Sequence, residues 1–110
     1  QLHLAFPDVI GPDYAIRGLN YLFGCHPASS ISFVSGVGTD SKRVMYGNNR
    51  ADYSFIAGAL VPGIYLIRPD YYEHKEDWPF IWYENESVID MNAGYIYLAA
   101  KVNNILSKMK

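Results

Sequence analysis

The sequence predicts an all-α fold built on two main helices that are joined by long ordered loops. Helical periodicity is present near the N-terminus and again at the C-terminus, whereas the roughly sixty residues between them carry none. The C-terminal pattern is apolar on two adjacent faces, which requires more packing partners than one other helix supplies. We therefore expect residues 1–110 to be a fragment of a larger all-α domain, and a start at Gln1 rather than Met fits that expectation.

The first helix is predicted over residues 12–23. Pro12 suits the first turn, where a backbone N–H would have no partner within the helix. Apolar residues then recur every three or four positions, which places them on one face. They are Ile16, Leu19 and Phe23. Gly24 follows directly and can adopt the left-handed conformation that ends many helices, so the helix should stop there.

The middle of the chain, from residue 25 to residue 84, sustains no helical period and is interrupted repeatedly by Gly and Pro. Short strands are predicted at residues 30–35 and 64–67, where β-branched and aromatic side chains gather. A connection of this length exceeds the usual loop. It indicates either that these loops are functional or that the scaffold that supports them lies outside this chain.

The second helix is predicted from about residue 86 to about residue 108. One apolar stripe runs along it at three- and four-residue spacing, and a second stripe lies beside the first. The first stripe comprises Val88, Met91, Tyr95, Leu98, Val102, Ile105 and Met109. The second comprises Ile89, Ala93, Ile96 and Ala100. A helix with this pattern is expected to be buried on most of its circumference, with neighbours on several sides.

Charge and cysteine content argue against several classes of function. The net charge is −2, and seven of the eleven acidic residues lie between Asp70 and Asp90, where Lys75 is the only Lys or Arg. Nucleic-acid binding is therefore disfavoured, since it requires clustered Lys and Arg. Cys25 is alone, so no internal disulfide or thiolate metal cluster can form. We predict no metal and no cofactor, and also no membrane segment, because no apolar run reaches spanning length.

A polar and aromatic stretch, WYENES, lies where the long helix is predicted to begin. Aromatic surroundings disfavour the charged form of a carboxyl group, so Glu86, close to Trp82 and Tyr83, is a candidate general acid. The N-terminus of a helix acts in the opposite direction by favouring a carboxylate, and the sequence leaves this balance open. Asn85 has the simpler interpretation of a helix cap. Asp77 supplies a second carboxylate that can orient a substrate hydroxyl.

Four motifs follow one another along nearly the whole chain. LNYLFG at residues 19–24 precedes SFVSGVG at residues 32–38, and GALVPG follows at residues 58–63. The fourth motif comprises Asp77, Trp82, Asn85-Glu86 and the run Asp90-Met91-Asn92-Ala93. In this order the motifs resemble those of glycoside hydrolase family nine, the cellulase family. The C-terminal signature of that family is an Asp, an aromatic residue, an Asn-Glu pair and an Asp-aromatic-Asn-Ala run.

This resemblance implies an (α/α)6 toroid that hydrolyses β-linked glucans or oligosaccharides with inversion of the anomeric configuration. Glu86 would be the general acid, and Asp77 would be the second carboxylate of the signature. The substrate-binding residues would be Asn48, Arg50, Trp82 and Tyr83. The family takes its catalytic base from an Asp-rich motif near the start of the domain, and nothing in this chain matches that motif. The resemblance therefore also implies a missing N-terminal part, an inactive isolated chain and a periplasmic or secreted location.

Three positions differ from the family pattern. Asn48 stands where the family has the His of a His-x-Arg pair. Val88 replaces a small residue, and Met91 replaces an aromatic one. Under this resemblance, the differences bear on substrate preference more than on the type of reaction.

Two alternatives to an enzyme stay open. The aromatic residues of this region can form a sugar-stacking platform without catalysis. They are Tyr71, Tyr72, Trp78, Trp82 and Tyr83. The apolar C-terminal helix can also drive self-association when it lacks helical neighbours.

Overall fold

The computed structural model describes residues 1–27, 29–43, 55–63, 66–70, 72–73 and 82–109. The helices in these ranges are α1 (Leu2–Ala5), α2 (Asp13–Leu22), α3 (Trp82–Asn85) and α4 (Ile89–Lys108). The strands are β1 (Ile31–Ser32), β2 (Asp40–Ser41), β3 (Leu66–Ile67) and β4 (Tyr72–Glu73). The two long helices dominate, as expected, but the all-α prediction is too simple because short strand pairs are also present.

The first predicted helix is confirmed, with each end within one residue of the expected position. α2 ends in a tight turn in which the Cys25 N–H donates to the Asn20 carbonyl oxygen at 2.9 Å. Gly24 occupies this turn with a φ of +101°. A Cβ at that position would lie 2.5 Å from the Ser30 carbonyl oxygen, so only glycine lets the chain pass so closely.

The predicted C-terminal helix is also confirmed, although it begins at Ile89 rather than near residue 86. Its first apolar stripe faces the rest of the chain, where it contacts α2, and Val102 is 3% exposed. Met109, at the end of the stripe, is 67% exposed, and the remaining members are half-buried: Val88, Met91, Tyr95, Leu98 and Ile105. The second stripe was expected to be buried and is not: Ile89 is 90% exposed and Ile96 is 64% exposed. Within the described ranges, no helix is long and apolar enough to cross a membrane.

The two predicted strand segments each contain a short strand. β1 pairs in parallel with β2, with Ile31 opposite Asp40. β3 pairs with β4 in an antiparallel hairpin, with Ile67 opposite Tyr72. Each of these pairs is only two residues long, so the apolar core has to be built outside them.

The core lies where two loop segments pair. Residues 33–35 run beside residues 58–61, and we call these two segments the central ladder. The Val61 N–H donates to the Phe33 carbonyl oxygen at 3.0 Å, and Val34 forms an antiparallel bridge with Leu60. The buried apolar side chains of the ladder are Phe33, Val34, Ala59, Leu60 and Val61. Residues that lie outside the helices and the four strands therefore form the buried apolar core of the described chain.

Candidate active site

The central ladder is joined to the end of α2. The Phe33 N–H donates to the Leu22 carbonyl oxygen at 2.9 Å. The Phe33 ring stacks on His26 with a centroid distance of 4.8 Å and meets Tyr21 edge to face at 5.7 Å. The motif at residues 19–24 and the motif at residues 32–38 are therefore neighbours in space.

The side chain of Asn92 joins the ladder to the start of α4. Its Oδ1 accepts the Leu60 N–H at 2.9 Å, which fixes the orientation of the amide because only the oxygen can accept. Its Nδ2 donates to Ser87 Oγ at 2.9 Å and to the Val88 carbonyl oxygen at 2.8 Å. We call this set of bonds the Asn92 clamp. It connects the motif at residues 58–63 to the backbone immediately after Glu86.

Replacing Asn92 with Ala is expected to lower the free energy of unfolding by about 2–3 kcal/mol, because the nearly buried Leu60 N–H loses its acceptor. Asn103→Ala is the matched control, since Asn103 lies on the same helix and is exposed. That control should stay within about 0.5 kcal/mol of the wild type. Urea denaturation measures both values, and equal stability of the two variants would contradict a role for the clamp.

A buried ion pair joins the ladder to α3. Lys42 Nζ donates to Glu84 Oε1 at 2.7 Å, and the two side chains are 4% and 0% exposed. The Lys42 N–H donates to the Ser32 carbonyl oxygen at 3.0 Å, and Ser35 Oγ donates to the Lys42 carbonyl oxygen. Neither partner of this pair is among the residues that the sequence marks as functional. No local pattern marks them, because they are 42 positions apart in the chain.

Glu86 lies between these two attachments. It follows the buried end of α3, is itself half-buried, and precedes the extended backbone of Val88, which has φ −114° and ψ 151°. α4 begins only at Ile89, and the electrostatic influence of a helix end falls off within the first turn. Glu86 is therefore displaced from the main influence of the α4 N-terminus, and part of its surface is accessible.

The interpretation of Asn85 as the cap of the long helix is wrong. Asn85 is the last residue of α3 and is fully buried. α4 has Val88 at its N-cap and no side-chain hydrogen bond there. The reason is that α4 starts further along the chain than the periodicity suggests, which leaves Asn92 rather than Asn85 to bond the backbone at its start.

The segment after Glu86 is also packed against the core. Met91 and Tyr95 contact the ladder from the first two turns of α4. Tyr95 meets Phe23 edge to face with a centroid distance of 6.2 Å. Burial raises the pKa of the Tyr95 phenol, which keeps this side chain neutral. The start of α4 is therefore held by apolar contacts in addition to the Asn92 clamp.

Several predicted site residues cannot be compared with the structure. Asn48, Arg50 and Asp77 lie outside the described residues. The backbones of Trp82 and Tyr83 belong to α3 rather than to a loop, and their side chains also lie outside the described part. The roles of these five residues stay predictions.

Cavities in the described part of the chain include two that are not lined by Glu86. One, of about 350 Å³, lies between residues 1–15 and the C-terminal half of α4, and another, of about 620 Å³, is lined by residues 1–15 alone. Among the residues that the structure describes, no three His, Cys, Asp or Glu side chains come together as metal ligands do. Neither cavity is lined by a residue predicted to bind sugar.

No protein-family model, curated protein or solved structure matches the chain. Function is therefore inferred from the order of the motifs and from the contacts that bring them together.

Proposed function

We propose that this chain is the C-terminal part of a glycoside hydrolase catalytic domain that resembles family nine. The domain would be an (α/α)6 toroid, and the reaction would be hydrolysis of a β-linked glucan or oligosaccharide by a single displacement. In that reaction Glu86 protonates the glycosidic oxygen as the bond to the leaving sugar breaks.

One observation carries the proposal: motif segments that are distant in sequence meet at the central ladder, and the chain is attached to that ladder on both sides of Glu86, the predicted general acid. The segment at residues 32–38 contacts α2 on one side and residues 58–61 on the other. The Asn92 clamp then joins residue 60 to the backbone on the C-terminal side of Glu86. An accidental similarity in sequence order would not require these segments to be neighbours.

The geometry also favours Glu86 over the other glutamate in the same stretch. Glu84 has no exposed surface and its carboxylate is bonded by Lys42, so it cannot reach a substrate. Glu86 is half-buried and has accessible surface. A general acid needs both features, because it has to reach the leaving oxygen while part of its environment excludes water.

The remaining roles follow the resemblance. Asp77 serves as the second carboxylate near the acid, and Arg50 and Asn48 bind sugar hydroxyls. The catalytic base lies outside this chain, and inversion requires it roughly 6.5–9.5 Å from the acid, with room for a water molecule. The exposed second stripe of α4 is available to pack against further helices of a toroid. In the same proposal the protein acts in the periplasm or outside the cell.

The stereochemistry of the first product tests this function. Full-length protein is incubated with soluble β-linked glucan oligosaccharides, and the anomeric protons are followed by NMR from the first minutes. We expect the α-anomer to appear first, because a single displacement inverts the configuration. The isolated chain of 110 residues serves as the control and should give no turnover. A β-anomer formed first, or no hydrolysis of any β-linked glucan, would overturn the proposal.

A further inference from the structure

The Lys42–Glu84 pair is unusual for its burial. Lys and Glu are seldom fully buried, and here both side chains are at most 4% exposed. The 2.7 Å separation between Nζ and Oε1 is that of a charge-assisted hydrogen bond, which restricts direction as well as distance. The pair therefore fixes the relative position of the two segments that carry it.

Each partner belongs to a segment with a defined anchor. The backbone of Lys42 is bonded to Ser32 through its N–H and to Ser35 through its carbonyl oxygen, so the lysine is an extension of the central ladder. Glu84 belongs to α3, a helix of only four residues that ends just before Glu86. A helix this short is marginal without tertiary contacts, so its orientation depends on the bonds that hold it.

Glu86 is consequently held from two sides. Lys42 attaches the chain to the ladder two residues before it, through Glu84. The Asn92 clamp attaches the chain to the same ladder directly after it, at Ser87 and Val88. We infer that Lys42 and Glu84 are positioning residues that fix the general acid Glu86 against the central ladder, an inference that rests on the proposed function.

Stability alone is a weak reason for such a pair. Removing two charges from water offsets much of their attraction, and an apolar pair of similar volume is often as stable. An apolar contact, however, does not impose the direction of a hydrogen bond, so a short helix packed by it can shift by a fraction of an ångström. A displacement of about 1 Å at a reacting group can lower a rate a hundredfold. The ion pair thus fixes the orientation of α3, which an apolar pair would not do.

The test is the double variant Lys42→Met with Glu84→Leu in the full-length protein. It replaces the ion pair by apolar side chains of similar size, so we expect the Tm to stay within a few degrees of the wild type. We expect kcat on a β-linked glucan to fall by about tenfold to a hundredfold while KM is unchanged. Lys42→Arg retains a cation able to bond Glu84 and should retain most of the activity. Wild-type kcat in a folded double variant would overturn the inference.

A second measurement separates this inference from the proposed function. Hydrogen exchange at residues 85–88, followed by mass spectrometry, should be faster in the double variant than in the wild type, whether or not the protein hydrolyses glucan. Unchanged exchange would overturn the positioning role. No hydrolysis by the wild type would overturn the proposed function and leave the exchange result to decide the structural role. If the double variant fails to fold, Glu84→Gln replaces it as a variant of equal size, and wild-type kcat and exchange in that variant would count against the inference.

Discussion

Replacing Glu86 with Gln is expected to lower kcat on a β-linked glucan by about 10²–10⁴-fold in the full-length protein. The amide keeps the size of the side chain and its ability to form hydrogen bonds, but it has no proton to give to the leaving oxygen. Since the half-buried Glu86 is the accessible carboxyl group of the WYENES stretch, no neighbour in that stretch can take over. Initial rates with reducing-sugar detection give kcat, and equilibrium binding of an oligosaccharide should be retained.

The leaving group provides an internal check on that result. An aryl glycoside whose phenol is strongly acidic needs little protonation as it departs, so the same variant should lose about tenfold or less on it. Asp13→Asn is the matched control, because this carboxylate in the first turn of α2 is exposed and lies 3.7 Å from Arg17 Nε, a weak surface contact. Its activity should equal that of the wild type. An unchanged kcat for Glu86→Gln would favour a binding module that stacks sugars without catalysis.

The long helices are predictable from sequence because their signals are local. The spacing of Leu19 and Phe23 and the glycine that follows predict both the face and the end of α2, and the structure agrees. The same holds for the first stripe of α4, in which Val102 is buried. The start of α4 is less predictable because Glu86, Ser87 and Val88 continue a helical pattern that the chain does not adopt. Hydrogen bonds from the Asn92 amide to Ser87 and Val88 hold this part of the chain in a different conformation, and the bond from Leu60 fixes that amide.

The supports of the candidate site could not be predicted, because they depend on pairs that are distant in sequence. Nothing near Lys42 indicates that its ammonium group bonds Glu84. The amide of Asn92 likewise reaches a residue 32 positions away. The sequence points to Glu86 through a motif, but it does not distinguish the buried Glu84 from its accessible neighbour. That distinction arises because α3 ends at Asn85. Glu84 lies within the helix and is fully buried, whereas Glu86 lies just beyond its end and is half-buried.

Replacing Phe33 with Ala should lower the free energy of unfolding by about 3–5 kcal/mol, the largest stability effect that we expect in this chain. The ring is 2% exposed and is enclosed by His26 on one face and Tyr21 at its edge. Its removal leaves a cavity between the end of α2 and the central ladder, and the surrounding backbone can close that cavity only by breaking ladder hydrogen bonds. Urea denaturation followed by circular dichroism measures the change.

Two variants separate the cavity from the loss of an aromatic ring. Phe6→Ala makes the same chemical change at a side chain that is 57% exposed, and it should cost less than about 1 kcal/mol. Phe33→Leu refills most of the space and should cost about 1 kcal/mol. Because Lys42 is bonded to Ser32 and to the Ser35 hydroxyl, on the two sides of Phe33, a loosened ladder should also release Glu86. Hydrogen exchange at residues 85–88 should therefore be faster in Phe33→Ala under conditions where the protein is still folded. If the ladder loosens and exchange at these residues does not change, Glu86 is held by α4 alone.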